Sequence, residues 1–246
     1  MSIRVMWKTK FGKCIYISPS GYKVYQNLLY RWLTLGSEAW QTVINRYIPR
    51  RPGLHYLQIL TLMARKFPND CCLLGLGGAG IAHLLGAQKT IRSIVAVESS
   101  EEVIQIAKKF FMTDLIPHFT ITHQNARDFV CENKKTFQHM LLDLYDATHF
   151  PDECHSMDFF IHCKKQLTDD GFLAVNLANS QEQWALVQLI KKQFPSNIII
   201  PIKKCANIVV IASKNDNKDL FIKQVRNTNE IKKITWVKDW GYVAEY

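Results

Sequence analysis

The sequence has no CxxC pair. Its seven cysteines, Cys14, Cys71, Cys72, Cys131, Cys154, Cys163 and Cys205, are odd in number and scattered. Neither a zinc-finger spacing nor a disulfide framework is indicated, so reduced and mostly buried thiols are expected. His83, His123, His149 and His155 show no ligand-like spacing either, and no metal is expected. No run reaches the ~18 apolar residues that a membrane span needs. The opening residues, Met1 to Lys8, lack the apolar segment of a secretory signal, so a cytoplasmic protein is expected. Internal repeats and low-complexity tracts are missing too.

Acid is scarce at the start. Residues 1–52 hold Glu38 alone against Arg4, Lys8, Lys10, Lys13, Lys23, Arg31, Arg46, Arg50 and Arg51. Residues 202–246 are also rich in lysine, whereas the middle is near neutral, and the net charge is +10. A basic N-terminal unit can contact an anionic partner. The bases are interspersed rather than packed into a block, so a solvated surface without a specific partner accounts for them better.

What the sequence does have is enough apolar material, 48% of 246 residues, for one large α/β domain with a small appendage. The chain is organised around Cys71-Cys72-Leu73-Leu74-Gly75-Leu76-Gly77-Gly78-Ala79-Gly80. Four apolar residues run into a glycine cluster, and Ile81 to Leu85 continue as a helix. A buried strand, a tight turn and a helix start make a place for a nucleotide-like ligand, because backbone can approach closely where there is no Cβ.

Before this stretch, Cys14–Ser18, Tyr22–Gln26 and 28–35 read as short strands, with Pro19-Ser20-Gly21 as a turn. Residues 41–52, with two prolines, read as a linker or lid segment, and residues 54–66 as one helix. From residue 71 strands and helices alternate. The strands fall at 71–74, 93–97, 120–123, 139–142 and 172–177, followed by a hairpin of 197–202 and 207–212. That order predicts a seven-stranded, mostly parallel sheet closed by an antiparallel hairpin. Residues 215–246 read as a polar tail with a helix near 220–226 and a late aromatic cluster.

Ligands in open α/β sheets bind beyond the carboxyl ends of the strands. Those ends carry Gly75-Leu76-Gly77-Gly78, then Glu98, then Gln124-Asn125-Ala126, then Asp143-Leu144-Tyr145-Asp146. An acid at Glu98 can accept both hydroxyls of a ribose, and an amide near 124–125 can read an adenine edge.

These residues carry a resemblance. Gly75–Gly80, Val97-Glu98, 103–111, Asn125–Phe129, Asp143–Asp146 and 159–176 come in the order and spacing of spermidine synthases. The chain resembles the spermidine synthase-like, aminopropyltransferase branch of the class I S-adenosylmethionine-dependent methyltransferase fold. The resemblance reaches to about residue 213. It implies three parts: an N-terminal β unit and linker (1–52), a Rossmann-like domain that binds an adenosyl ligand (53–214) and the tail (215–246).

It also implies roles. Gly75, Gly77 and Gly78 would hold the amino-acid or aminopropyl end of S-adenosylmethionine or its decarboxylated form. Glu98 would bind the ribose, Asn125 and Ala126 would face the adenine, and Gln41 would reach in from the N-terminal unit. Tyr56 would line the amine pocket. Asp146 would take the catalytic-base position with Asp143 beside it. The co-substrate is then an adenosyl sulfonium, no metal takes part, and family members often dimerise through the N-terminal unit.

Departures from the family pattern cut against polyamine synthesis. The turn acid is replaced by Gly78, a ligand-binding glutamine by Leu57, and the proline after the last acid by Ala147; Lys203-Lys204 stands where a tyrosine is usual. Three functions therefore stay open from sequence: aminopropyl transfer to an amine, methyl transfer to a non-polyamine acceptor, and a degenerate nucleoside- or partner-binding homologue.

Overall fold

The structure, a computed structural model, describes residues 7–36, 39–145 and 149–246. Its N-terminal part is an antiparallel sheet of β1 (Lys13–Ile17), β2 (Lys23–Gln26), β3 (Tyr30–Thr34) and β4 (Trp40–Asn45), paired in that order. The β1–β2 turn closes at Gly21, whose φ is +80°. The β2–β3 turn is fixed by Asn27, whose Oδ1 accepts from the Leu29 and Tyr30 amides at 3.0 and 2.7 Å. β4 corrects the expectation of a linker over 41–52. Thr42, Val43 and Ile44 are buried in this strand, and both prolines, Pro49 and Pro52, lie beyond its end. Val24, Leu33 and Ile44 pack on Ile106 and Phe111, which docks the small sheet onto the main domain.

The expected helix over 54–66 is two short ones, α1 (Tyr56–Leu60) and α2 (Leu62–Lys66). Thr61 interrupts it: its hydroxyl donates to the Leu57 carbonyl at 2.7 Å, a back-bond that bends helices.

The main sheet contains β5 (Cys71–Leu74), β6 (Ile94–Glu98), β7 (Phe119–His123), β8 (Phe137–Leu142), β9 (Leu167–Leu177), β10 (Ser196–Pro201), β11 (Ile208–Ser213), β12 (Lys233–Val237) and β13 (Gly241–Glu245). Between them run α3 (Gly80–Gly86), α4 (Glu101–Phe110), α5 (Ala126–Glu132), α6 (Met157–Lys165), α7 (Ser180–Gln193) and α8 (Lys218–Arg226). The strand order is β12-β13-β10-β11-β9-β8-β5-β6-β7. Strands β9-β8-β5-β6-β7 are mutually parallel, and β10–β11 is the expected antiparallel hairpin. β5 is buried on both faces: Cys71 and Leu73 join one core cluster, Cys72 and Leu74 the other.

Among the described residues the sheet has nine strands, not seven. The extra two come from the segment read as a tail. β13 lies parallel to β10 through Val243 opposite Ile199, and β12 folds back on β13. Asp239 and Gly241, at φ +69° and +85°, make that turn. β12 is an edge strand with a mostly wet outer side, so its composition stays polar and the strand signal is weak. Arg65 on α2 grips Glu230 through two bonds of 2.8 and 2.9 Å, which fastens this segment to the domain.

One buried group makes stability depend on pH. His139 in β8 stacks on Phe172, and its Nε2 donates to the Phe67 carbonyl at 2.6 Å. Burial pushes its pKa down from 6.5 to about 4, against the opposing pull of that bond. The unfolded chain thus binds more protons between these values. Stability is full above pH 6.5 and declines as pH falls toward 4, by up to about 3 kcal/mol. His83, shifted the same way by burial, adds to the decline. Urea unfolding across pH 4–7 checks this: His139→Phe should show a shallower slope than the native chain, and equal slopes would contradict it.

Candidate active site

β5 and β8 are parallel neighbours from which the chain departs in opposite directions, β5 toward β6 and β8 toward β9. A crevice opens where the order reverses. There the Asp143 amide donates to the Leu74 carbonyl at 2.9 Å. Gly75 lies directly under the Asp143 carbonyl. Its φ is +98°, and a Cβ would sit 2.3 Å from that oxygen, so only glycine satisfies both demands.

The glycine turn is held from two sides. Glu98, the last residue of β6, accepts from the Leu76 amide at 3.1 Å and from the Ser100 amide at 3.0 Å, one bond to each carboxylate oxygen. Each oxygen retains further acceptor capacity, and Glu98 lines the cleft. Thr42 from β4 accepts from the Gly78 amide at 2.8 Å. A Cβ at Gly78 would lie 2.8 Å from both the Phe111 ring and the Thr42 methyl. Phe111 is fully buried. The place of the missing acid is therefore filled by an N-terminal methyl and a core ring. Gly78→Asp is expected to lower stability by at least about 1–3 kcal/mol, read by urea unfolding, because the core must move to admit the side chain.

Across the cleft, Asp143 follows β8. Its Oδ2 accepts from the Tyr56 hydroxyl at 2.7 Å and its Oδ1 from the Asn176 amide at 2.7 Å. Asn207 donates in turn to Asn176 Oδ1 at 2.9 Å. Burial raises the Asp143 pKa, and the bonds from Asn176 and Tyr56 only partly offset this. Burial and the adjacent Asp143 charge hold the Tyr56 phenol protonated, well above the usual range. The pair is a fixed donor against a carboxylate more basic than one in water. Nearby, the Tyr145 hydroxyl accepts from the Ala178 amide at 2.9 Å and pins the loop after β8 to the end of β9.

Gln41, Tyr56, Gly75, Gly77, Glu98, Ala126 and Asp143 all line this one cleft. Gly78 lies behind it. Asn125 caps α5: its Oδ1 accepts from the Arg127 amide at 2.8 Å and its Nδ2 donates to Glu153 at 2.9 Å. Asp146 and Ala147 fall outside the described residues. Leu57 is a buried wall residue. Lys203 turns away: its ammonium donates to the Tyr246 carbonyl at 2.9 Å and sits over that ring. Sequence reading missed Thr42, hidden in the supposed linker, and Asn176. The apolar run of β9 gave no sign that Asn176 would face Asp143.

Among the described residues, the cleft walls carry two carboxylates, Glu98 and Asp143, and no Lys, Arg or His. Where ionised, these two carboxylates place negative charge on the walls with no cationic side chain beside it, which favours a cationic occupant.

The model of the spermine/spermidine synthase domain matches residues 56–218. The chain belongs to the spermine/spermidine synthase family. That membership makes it a transferase. A polyamine aminopropyltransferase from Chromobacterium violaceum is 25% identical over 187 residues, covering 74% of this chain and 72% of that protein. Polyamine aminopropyltransferase 1 of Aquifex aeolicus is 24% identical over 148 residues, which span 57% of this chain and about half, 53%, of the relative.

Solved structures share the fold. Spermidine synthase from Thermotoga maritima superposes with a TM-score of 0.64 at 15% identity, over 93% of this chain and 80% of that one. A probable spermidine synthase from Corynebacterium glutamicum gives 0.69 at 15% identity, over 88% and 87%. Human methyltransferase-like protein 13, solved with SAH, gives 0.61 at 15% identity, over 75% and 96%. The family therefore carries the Rossmann-like methyltransferase architecture expected from the sequence. No helix among the described residues is long and apolar enough to cross a membrane.

Proposed function

We propose that this spermidine synthase family member binds an adenosyl sulfonium in the β5–β6–β8 cleft and transfers its aminopropyl group to an amine. The observation that carries this reading is the pairing, across one cleft, of Glu98 beside the glycine turn with the Tyr56–Asp143 couple. Glu98 would hold the ribose hydroxyls. The positive sulfur would lie in the negative field of the walls.

An acceptor amine is an ammonium at neutral pH and cannot attack until it loses a proton. Asp143, its pKa raised by burial, would accept a hydrogen bond from that amine and help remove the proton. Asp146 is proposed as its partner base. Tyr56 would keep the carboxylate oriented. The amine nitrogen then forms a bond to the carbon next to sulfur as the carbon–sulfur bond breaks, and methylthioadenosine leaves. Alignment of the two reactants supplies much of the remaining acceleration.

Methyl transfer from S-adenosylmethionine is the second reading. It is favoured by Gly78, where the missing acid removes a negative charge near the carboxylate that S-adenosylmethionine carries and its decarboxylated form lacks. Calorimetry with S-adenosylmethionine, its decarboxylated form and methylthioadenosine separates the two. Tight binding of the decarboxylated form, with product formed only when putrescine or another diamine is present, supports aminopropyl transfer. Preference for S-adenosylmethionine supports methyl transfer, and binding of none refutes both.

A further inference from the structure

The packing of α5 on α6 brings together three side chains of a different chemistry. Cys131 stands near the end of α5, and Asp158 and His162 stand one turn apart on α6. One ligand atom from each lies within 4.8 Å of the others. Among the described residues no other three His, Cys, Asp or Glu side chains converge in this way. His162 Nε2 is 3.6 Å from Asp158 Oδ1. Arg127 approaches the other oxygen, Oδ2, at 3.6 Å.

We propose that Cys131, Asp158 and His162 form a zinc site that staples α5 to α6. Thiolate and imidazole donors suit zinc and disfavour magnesium or calcium. Ligands around tetrahedral zinc stand roughly 3.5 Å apart, so the cluster must draw in by about 1 Å. Cys131 and Asp158 are exposed and can turn to do so. One thiolate and one carboxylate balance the ion's two charges, with water as the fourth ligand. Thiolate is the ligating form of cysteine, so binding releases one thiol proton to solvent. Arg127 stays on Oδ2 while Oδ1 takes the metal.

The site lies outside the cleft but bears on it. α5 opens at Ala126, a cleft wall residue, so the ion stiffens one side of the ligand pocket without touching the ligand. No short motif announces it, because the three residues are divided between two helices.

The test uses the full chain, stripped with a chelator and shown by circular dichroism to be folded. Cobalt(II) titration should produce a thiolate-to-metal absorption band. The band should survive in the Cys14→Ser/Cys205→Ser variant, which removes the other exposed thiols outside the cluster, and vanish in Cys131→Ser. Competition with a chromophoric chelator should show zinc affinity at least about tenfold weaker in Asp158→Asn and in His162→Gln, since even ligand-supporting neighbours are worth that much. No band in the native chain, a band retained in Cys131→Ser, or unchanged zinc affinity in either α6 variant would overturn the site.

Discussion

Asp143→Asn is expected to lower turnover by about 10²–10⁴-fold, the usual worth of a positioned proton acceptor. The same change should leave stability at pH 7 unchanged or higher. The reason lies in the sign of the Asp143 shift. Burial raises its pKa in the folded chain, so its ionised form costs stability as pH climbs above the unfolded value. An asparagine carries no such cost. Its oxygen can accept from Asn176, and its amide can donate to the Tyr56 oxygen, so each neighbour keeps one bond, with the Tyr56 hydroxyl accepting where it had donated. Steady-state rates with decarboxylated S-adenosylmethionine and a diamine, beside urea unfolding, check both halves. In the native chain the rate should also fall as pH drops through the raised pKa. An active, stable Asp143→Asn would remove Asp143 from the chemistry.

Glu98→Gln should weaken methylthioadenosine binding by about 10–100-fold, while saturated turnover changes less. A charged acceptor to two hydroxyls is worth about 1.5–3 kcal/mol, and the neutral amide retains one acceptor of the pair. Glu98 has a second duty, since it also holds the Leu76 and Ser100 amides. The glutamine oxygen can keep one of these bonds. A loss confined to ligand affinity, with the unfolding midpoint within about 1 kcal/mol of the native chain, separates ribose binding from collapse of the turn. Calorimetry reads the affinity, and an unchanged value would sever Glu98 from the ligand.

The parts legible in the sequence were those where local pattern and global fold agree. Cys71–Leu74 is apolar because it is buried on both faces, and Gly75 is glycine because the Asp143 carbonyl presses on it. β12 and β13 were missed because an edge hairpin tolerates lysine and needs few buried residues. β4 was missed because Pro49 and Pro52, just past its end, look like linker punctuation. The Asn207–Asn176–Asp143–Tyr56 chain of hydrogen bonds joins four distant segments, and no spacing rule connects them. Asn125 carries a structural duty that the strand-end pattern does not announce, since its oxygen caps a helix.

The most direct measurement is a crystal structure of the chain grown with methylthioadenosine. The account predicts the ribose hydroxyls within about 2.6–3.2 Å of the Glu98 carboxylate, with the thioether side facing the Tyr56–Asp143 pair. A nucleoside bound elsewhere, or a water-filled cleft at saturating ligand, would contradict it.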